Sequence, residues 1–128
     1  MKRKSTVFLL LVFAQALHSI EEYIGRLWEI FPPATFLCGL VSDDLHFGFL
    51  VINIGLFVLG ILFWLFLVKP DRLGAYLVIW FWIVIELTNG VIHPIWSIME
   101  RSYTPGVITA PLLFVLALYL LQLTRKNE

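Results

Sequence analysis

Four stretches of this chain stay apolar for about twenty residues at a time, the length a helix needs to cross a hydrocarbon core of about 30 Å. They lie near 5–24, 46–68, 72–93 and 105–123. The runs are continuous rather than alternating, and lipid offers an open backbone no hydrogen-bond partner, so they read as helices and not as barrel strands. With 60% hydrophobic and 14% charged residues in 128, the chain is too apolar for a soluble domain. The expectation is an all-α, four-helix transmembrane bundle forming a single domain over 1–128, located in the cell membrane as a multi-pass protein.

Charge placement orients it. Short cytoplasmic loops carry the excess of lysine and arginine. Lys2, Arg3, Lys4, Lys69, Arg72, Arg125 and Lys126 fall on one side of such a bundle, with Arg26 and Arg101 on the other, so both termini are expected to be cytoplasmic. The nine basic residues are balanced by nine acidic ones and form no patch, which argues against a nucleic-acid partner. The expected partner is membrane lipid. Cys38 is the single cysteine, so no disulfide framework or thiol metal motif exists. One rival reading concerns the start of the chain: Lys2 to Lys4, Val7 to Phe13 and Ala14-Gln15-Ala16 also have the pattern of a secretory signal. Cleavage after Ala16 would strand the polar residues that follow it outside the membrane.

Prolines and short polar residues mark the boundaries. Phe31-Pro32-Pro33 should fray the first helix, 34–45 should be the longest loop, and Ser42 and Asp43 are candidate caps for the second helix. Lys69-Pro70-Asp71-Arg72 reads as a tight turn. Pro94 should break or kink the third helix just after His93. Thr104-Pro105 should start the fourth, with Pro111 kinking it.

Against this background the first apolar run contains His18, Glu21 and Glu22. A central acidic side chain costs roughly 2.5–3.5 kcal/mol on insertion scales, so such residues face a partner or a polar cavity. Depth tests whether they can share one. At 1.5 Å per residue from the cytoplasmic ends, His18, Glu86, Thr109 and Asn53 fall at about 18–22 Å, and Glu21, Glu22 and Asn89 at about 22–24 Å. His93, Tyr103 and His46 lie further out. The expected result is a polar funnel in the extracytoplasmic half, with Glu21 and Glu22 flanking His18 on one helix and Glu86, Asn89 and His93 sharing a stripe on another.

Three motifs carry these residues: His18-Ser19-Ile20-Glu21-Glu22, Asn89-Gly90-Val91-Ile92-His93 and Tyr103-Thr104-Pro105-Gly106-Val107-Ile108-Thr109. Through them the chain resembles the HXXEE-domain family, small bacterial integral membrane proteins of unestablished activity, whose HxxEE, NxxxH and YxPGxxT patterns occur here in order. The resemblance implies membrane location and an enzymatic role without supplying a reaction.

The residues themselves support several chemistries. His18, Glu21, Glu22, Asn89 and His93 are the candidate catalytic set, and Glu86, Tyr103, Pro105, Gly106 and Thr109 the candidate substrate-binding set. Two adjacent buried carboxylates titrate apart, which supplies one proton donor and one acceptor, with His18 as shuttle. The substrate would be a hydrophobic or amphiphilic small molecule. A divalent metal such as Fe, Mn or Zn could be held by His18, Glu21, Glu22, Glu86 and His93, as in bundle-type metal proteins. Against the metal stand the inverted order of His18 and Glu21 and an axial gap of about 10 Å between Glu86 and His93. A metal-free hydrogen-bond network stays open, as does a non-enzymatic role in binding, proton relay or transport, or as a partner subunit.

Overall fold

The computed structural model describes residues 2–126. It is all-α, with no strand among the described residues. In chain order the helices are α1 (Lys2–Ile24), α2 (Leu27–Ile30), α3 (Pro32–Val41), α4 (Leu45–Phe63), α5 (Ala75–Glu100) and α6 (Ala110–Arg125), and α4 continues into a π-helical stretch, Trp64–Val68. Three spans are long and apolar enough to cross a membrane: Lys2–Ile24, Leu45–Val68 and Ala75–Glu100. The apolar α6 has 16 residues, about 24 Å at 1.5 Å each.

The core is built by α1, α5 and α6. Phe8, Leu11 and Val12 of α1 meet Ile79, Trp82 and Ile83 of α5 and Leu113, Ala117 and Leu120 of α6, and Phe8 packs its edge on Trp82 with ring centroids 5.5 Å apart. Between helices in lipid there is no water to expel, so close van der Waals fit supplies the association. That is why α4 approaches through glycine. A Cβ on Gly60 would lie 2.8 Å from Val12 Cγ1 and 3.0 Å from the Trp82 ring. Much of the rest of α4, including Val51, Ile54, Val58 and Leu62, is exposed, as expected of a helix facing lipid. A second cluster, Leu27, Trp28, Cys38 and Phe49, ties α2 and α3 to the start of α4.

Several boundaries differ from the sequence expectations. The first helix ends at Ile24, the bound expected from its apolar run, but the cause is not the prolines at 32 and 33: Arg26 takes a left-handed conformation (φ 52°) and Gly25 is pressed against Pro105, where a Cβ would collide with the proline ring. Pro32 and Pro33 then begin α3, since a missing N–H costs nothing in a first turn. The expected loop over 34–45 is therefore mostly helical, with Phe36, Leu37 and Leu40 exposed. The cap of α4 is Asp44, whose Oδ1 accepts from Phe47 N at 3.2 Å, rather than Ser42 or Asp43. The turn after Val68 holds Asp71 at φ 53°, and α5 starts at Ala75 behind Gly74 at φ 98°.

Pro94 does not break α5, which runs on to Glu100. Packing continues on both sides of it, Gly90 against Phe114 before and Trp96 against Phe31 after, and unwinding in lipid would expose further backbone groups. The last helix begins at Ala110 instead of Pro105. Pro111 thus occupies its first turn, where its missing N–H forfeits no intrahelical hydrogen bond.

Candidate functional site

The helical repeat of α1 points Leu11, Gln15, His18 and Glu22 into the bundle, and that of α5 does the same for Ile83, Glu86, Gly90 and His93. The connection from α5 to α6 crosses over them. Between these three segments lie four buried ionisable side chains: His18 and Glu86 at 0% exposure, His93 at 2% and Glu22 at 7%.

Two imidazoles converge on one carboxylate oxygen. His18 Nε2 lies 3.0 Å from Glu22 Oε1, and His93 Nε2 lies 3.1 Å from the same atom. The rings meet edge to face, with centroids 4.6 Å apart. One atom from each of the three residues fits within a mutual separation of 4.8 Å.

The opposite ring nitrogens fix the tautomers. His93 Nδ1 is 2.9 Å from the Pro105 carbonyl oxygen, which only accepts, so Nδ1 carries the proton. His18 Nδ1 is 2.7 Å from Thr109 Oγ1. The single hydroxyl hydrogen of Thr109 goes to Glu21 Oε1 at 2.6 Å, so that oxygen is an acceptor for His18 and Nδ1 is again the donor. Both Nε2 atoms therefore turn towards Glu22. His18 Nε2 is buried and has no hydrogen-bond partner, despite its closeness to Oε1.

Glu21, next in sequence to Glu22, turns to the covering segment. Its Oε2 accepts from the Tyr103 hydroxyl at 2.8 Å and Ile108 N at 3.2 Å, and its Oε1 from Thr109 N at 2.9 Å and Thr109 Oγ1. Four donors on one carboxylate clasp 103–109 to α1. The backbone N–H groups ahead of α6 are thereby occupied by the chain's own anion. Partial loss of water at its hydroxyl, together with the Glu21 carboxylate, pushes the Tyr103 phenol up to about 12, so it remains a donor at neutral pH. Gly106, at φ 97°, passes directly over both imidazoles: a Cβ there would lie 2.5 Å from His93 Nδ1 and 2.8 Å from His18 Cε1. At the base of the cover, Ser97 Oγ and Thr104 Oγ1 are 2.6 Å apart, and Thr104 N donates to Ser97 Oγ at 3.1 Å.

Glu86 belongs to a neighbouring network. Asn89 Nδ2 donates to its Oε2 at 3.3 Å, and the Gln15 amide nitrogen, in one of its two orientations, reaches Oε2 at 2.7 Å and Oε1 at 3.0 Å. Ser19 Oγ, 3.3 Å from that amide, donates to Asn53 Oδ1 at 2.7 Å. His46 stands apart, 3.2 Å from the Tyr23 hydroxyl.

Of the five residues considered as metal ligands, the structure brings His18, Glu22 and His93 together and directs Glu21 and Glu86 elsewhere. Of the catalytic set, Asn89 faces Glu86 and not the histidines. Tyr103, Pro105, Gly106 and Thr109 form the cover. The expected open funnel is closed, because the segment expected to begin the fourth helix lies across it in turns. Gln15 was not among the site candidates, although its place three residues before His18 puts it on the same helix face. Ser97 gave no signal of its own.

The three motifs thus supply α1, α5 and the cover of one site. A family model described as "Protein of unknown function with HXXEE motif" matches residues 9–120, a stretch that includes all three. No curated protein and no solved structure matches the chain.

Proposed function

We propose that this chain, which belongs to the HXXEE family, is a multi-pass cell-membrane enzyme acting on a hydrophobic or amphiphilic small molecule at the His18–Glu22–His93 site. The observation that carries this reading is the meeting of two tautomer-fixed imidazoles on one buried carboxylate oxygen, contributed by two different helices. Buried groups of this kind are costly in a membrane, and a purely structural contact between helices does not require three of them. The chemistry is acid/base or metal-assisted, with Glu22 at its centre and the histidines orienting it. Glu21 acts on the cover rather than on substrate, and Glu86 with Asn89 and Gln15 forms the wall behind.

Both termini are placed in the cytoplasm, with α6 as a fourth crossing, on the strength of the basic residues at the two chain ends and in the 69–72 turn. The site then lies in the extracytoplasmic half. Its burial means that substrate enters when 103–109 moves.

A second reading, a non-enzymatic binding or relay protein, is favoured by the Asn89–Glu86 and Ser19–Asn53 hydrogen bonds, which continue the polar layer across the bundle. The test is incubation of the purified protein with a membrane lipid extract, followed by mass spectrometry of the small molecules, wild type against Glu22→Gln. Species consumed by the wild type alone are expected. No difference between the two proteins rejects the enzyme and leaves the binding reading.

A further inference from the structure

We infer that His18 Nε2, His93 Nε2 and Glu22 Oε1 are the three protein ligands of one divalent transition-metal ion, Zn²⁺ or Fe²⁺, with further positions open. This rests on the site named above but not on turnover there.

The inference follows from where the protons are. Each imidazole donates its Nδ1 hydrogen outward, His93 to the Pro105 carbonyl and His18 to the Thr109 hydroxyl. A neutral ring then presents a bare lone pair at Nε2, so two nitrogen acceptors and one carboxylate oxygen face a single point. Acceptors do not satisfy acceptors. One shared proton would serve one ring and leave the other Nε2 opposite an acceptor at about 3 Å, the unfavourable arrangement that buried polar groups avoid. Protonating both rings would place two cations with centroids 4.6 Å apart in a low-dielectric interior beside one carboxylate. A cation at the meeting point satisfies all three atoms. It also explains why His18 Nε2, fully buried, has no hydrogen-bond partner.

The surroundings match. Metal-bound histidines characteristically donate their other N–H to a carbonyl or carboxylate system, which fixes tautomer and ring orientation. Here His93 meets a carbonyl, and His18 reaches the Glu21 carboxylate through Thr109. An ion with bonds of about 2.0–2.1 Å in tetrahedral geometry holds its ligands about 3.3–3.4 Å apart. The two imidazole–carboxylate separations, 3.0 and 3.1 Å, lie within a few tenths of an ångström of that, and all three ligand atoms lie within 4.8 Å of one another, so binding draws the two imidazoles together around the ion. Two imidazoles and one carboxylate suit catalytic zinc or non-haem Fe²⁺, whereas Mg²⁺ and Ca²⁺ prefer all-oxygen sets. Glu21 and Glu86 are not ligands: Glu21 is held by donors of the covering segment, and Glu86, which accepts from Asn89 Nδ2, lies outside the group formed by His18, Glu22 and His93.

The test uses the full chain in detergent, stripped of metal and titrated with Zn²⁺ or, anaerobically, Fe²⁺. One ion per chain is expected for the wild type and for Glu86→Gln. Glu22→Gln and His93→Asn are expected to weaken binding at least a hundredfold. Should those variants fail to fold, ¹⁵N-histidine spectra of the wild type decide: on adding Zn²⁺, the Nε2 signals of His18 and His93 shift while both Nδ1 remain protonated. Absence of saturable one-to-one binding for both ions overturns the proposal, as does binding undiminished in Glu22→Gln and His93→Asn, or histidine spectra unmoved by metal. Metal binding without lipid turnover would reject the enzyme alone. Turnover by metal-free protein would reject a catalytic role for the ion and leave the titration to decide its binding.

Discussion

At the scale of single residues, the most exacting position is Gly106. Its positive φ and the 2.5 Å that would separate a Cβ from His93 Nδ1 leave room only for hydrogen. Gly106→Ala is expected to destabilise the protein by about 1–3 kcal/mol, the scale of backbone strain at such a site, and to push the cover off the imidazoles. Thermal unfolding in detergent measures this, and a variant as stable as the wild type would mean that the backbone does not pass there. The sequence shows that Pro105-Gly106 permits close approach of backbone to something. What it approaches was not legible, because the two rings beneath it come from residues 88 and 13 positions earlier, brought there only by packing. His18, Glu22 and His93 were legible only within a larger set that included Glu21, Glu86 and Asn89: ionisable residues within apolar runs are rare enough to require partners, but the sequence does not say which of them meet.

At the scale of elements, the division of labour between Glu21 and Glu22 follows from one helical step of about 100°, which sends neighbouring carboxylates to different surroundings. Glu22 faces the bundle, and Glu21 grips the segment ahead of α6. Glu21→Gln should therefore accelerate hydrogen exchange at the Ile108 and Thr109 amides while leaving the amides around Ile83 in α5 protected. Unchanged exchange at 108 and 109 would contradict the clasp. The proline boundaries were misread because local rules assume that helix breaking is cheap. In α5 the apolar packing on both sides of Pro94 outweighs the loss of one backbone hydrogen bond. Before α6 the reverse holds: Thr104-Pro105 has the pattern of a helix start, but Glu21 captures the N–H groups of Ile108 and Thr109 in turns, and the helix waits for Ala110.

At the scale of the whole molecule, three long apolar helices were legible from run length alone. The fourth differs, since its 16 residues fall short of the usual span unless 104–109 completes the crossing inside protein. The topology is testable in a Cys38→Ser background with Lys4→Cys and Arg125→Cys. Both sites are expected to react with an impermeant thiol reagent only after the cytoplasmic face is opened. Labelling of position 125 from the outside would mean that α6 does not cross.

The acceptor of the His18 Nδ1 hydrogen is Thr109, a residue of the covering segment itself. Lifting that segment to admit a guest deprives the imidazole of the contact that pins its proton on the far nitrogen. Admission and protonation are thus mechanically tied: whatever displaces the roof must offer His18 a replacement acceptor, or the ring loses the tautomer that faces Glu22.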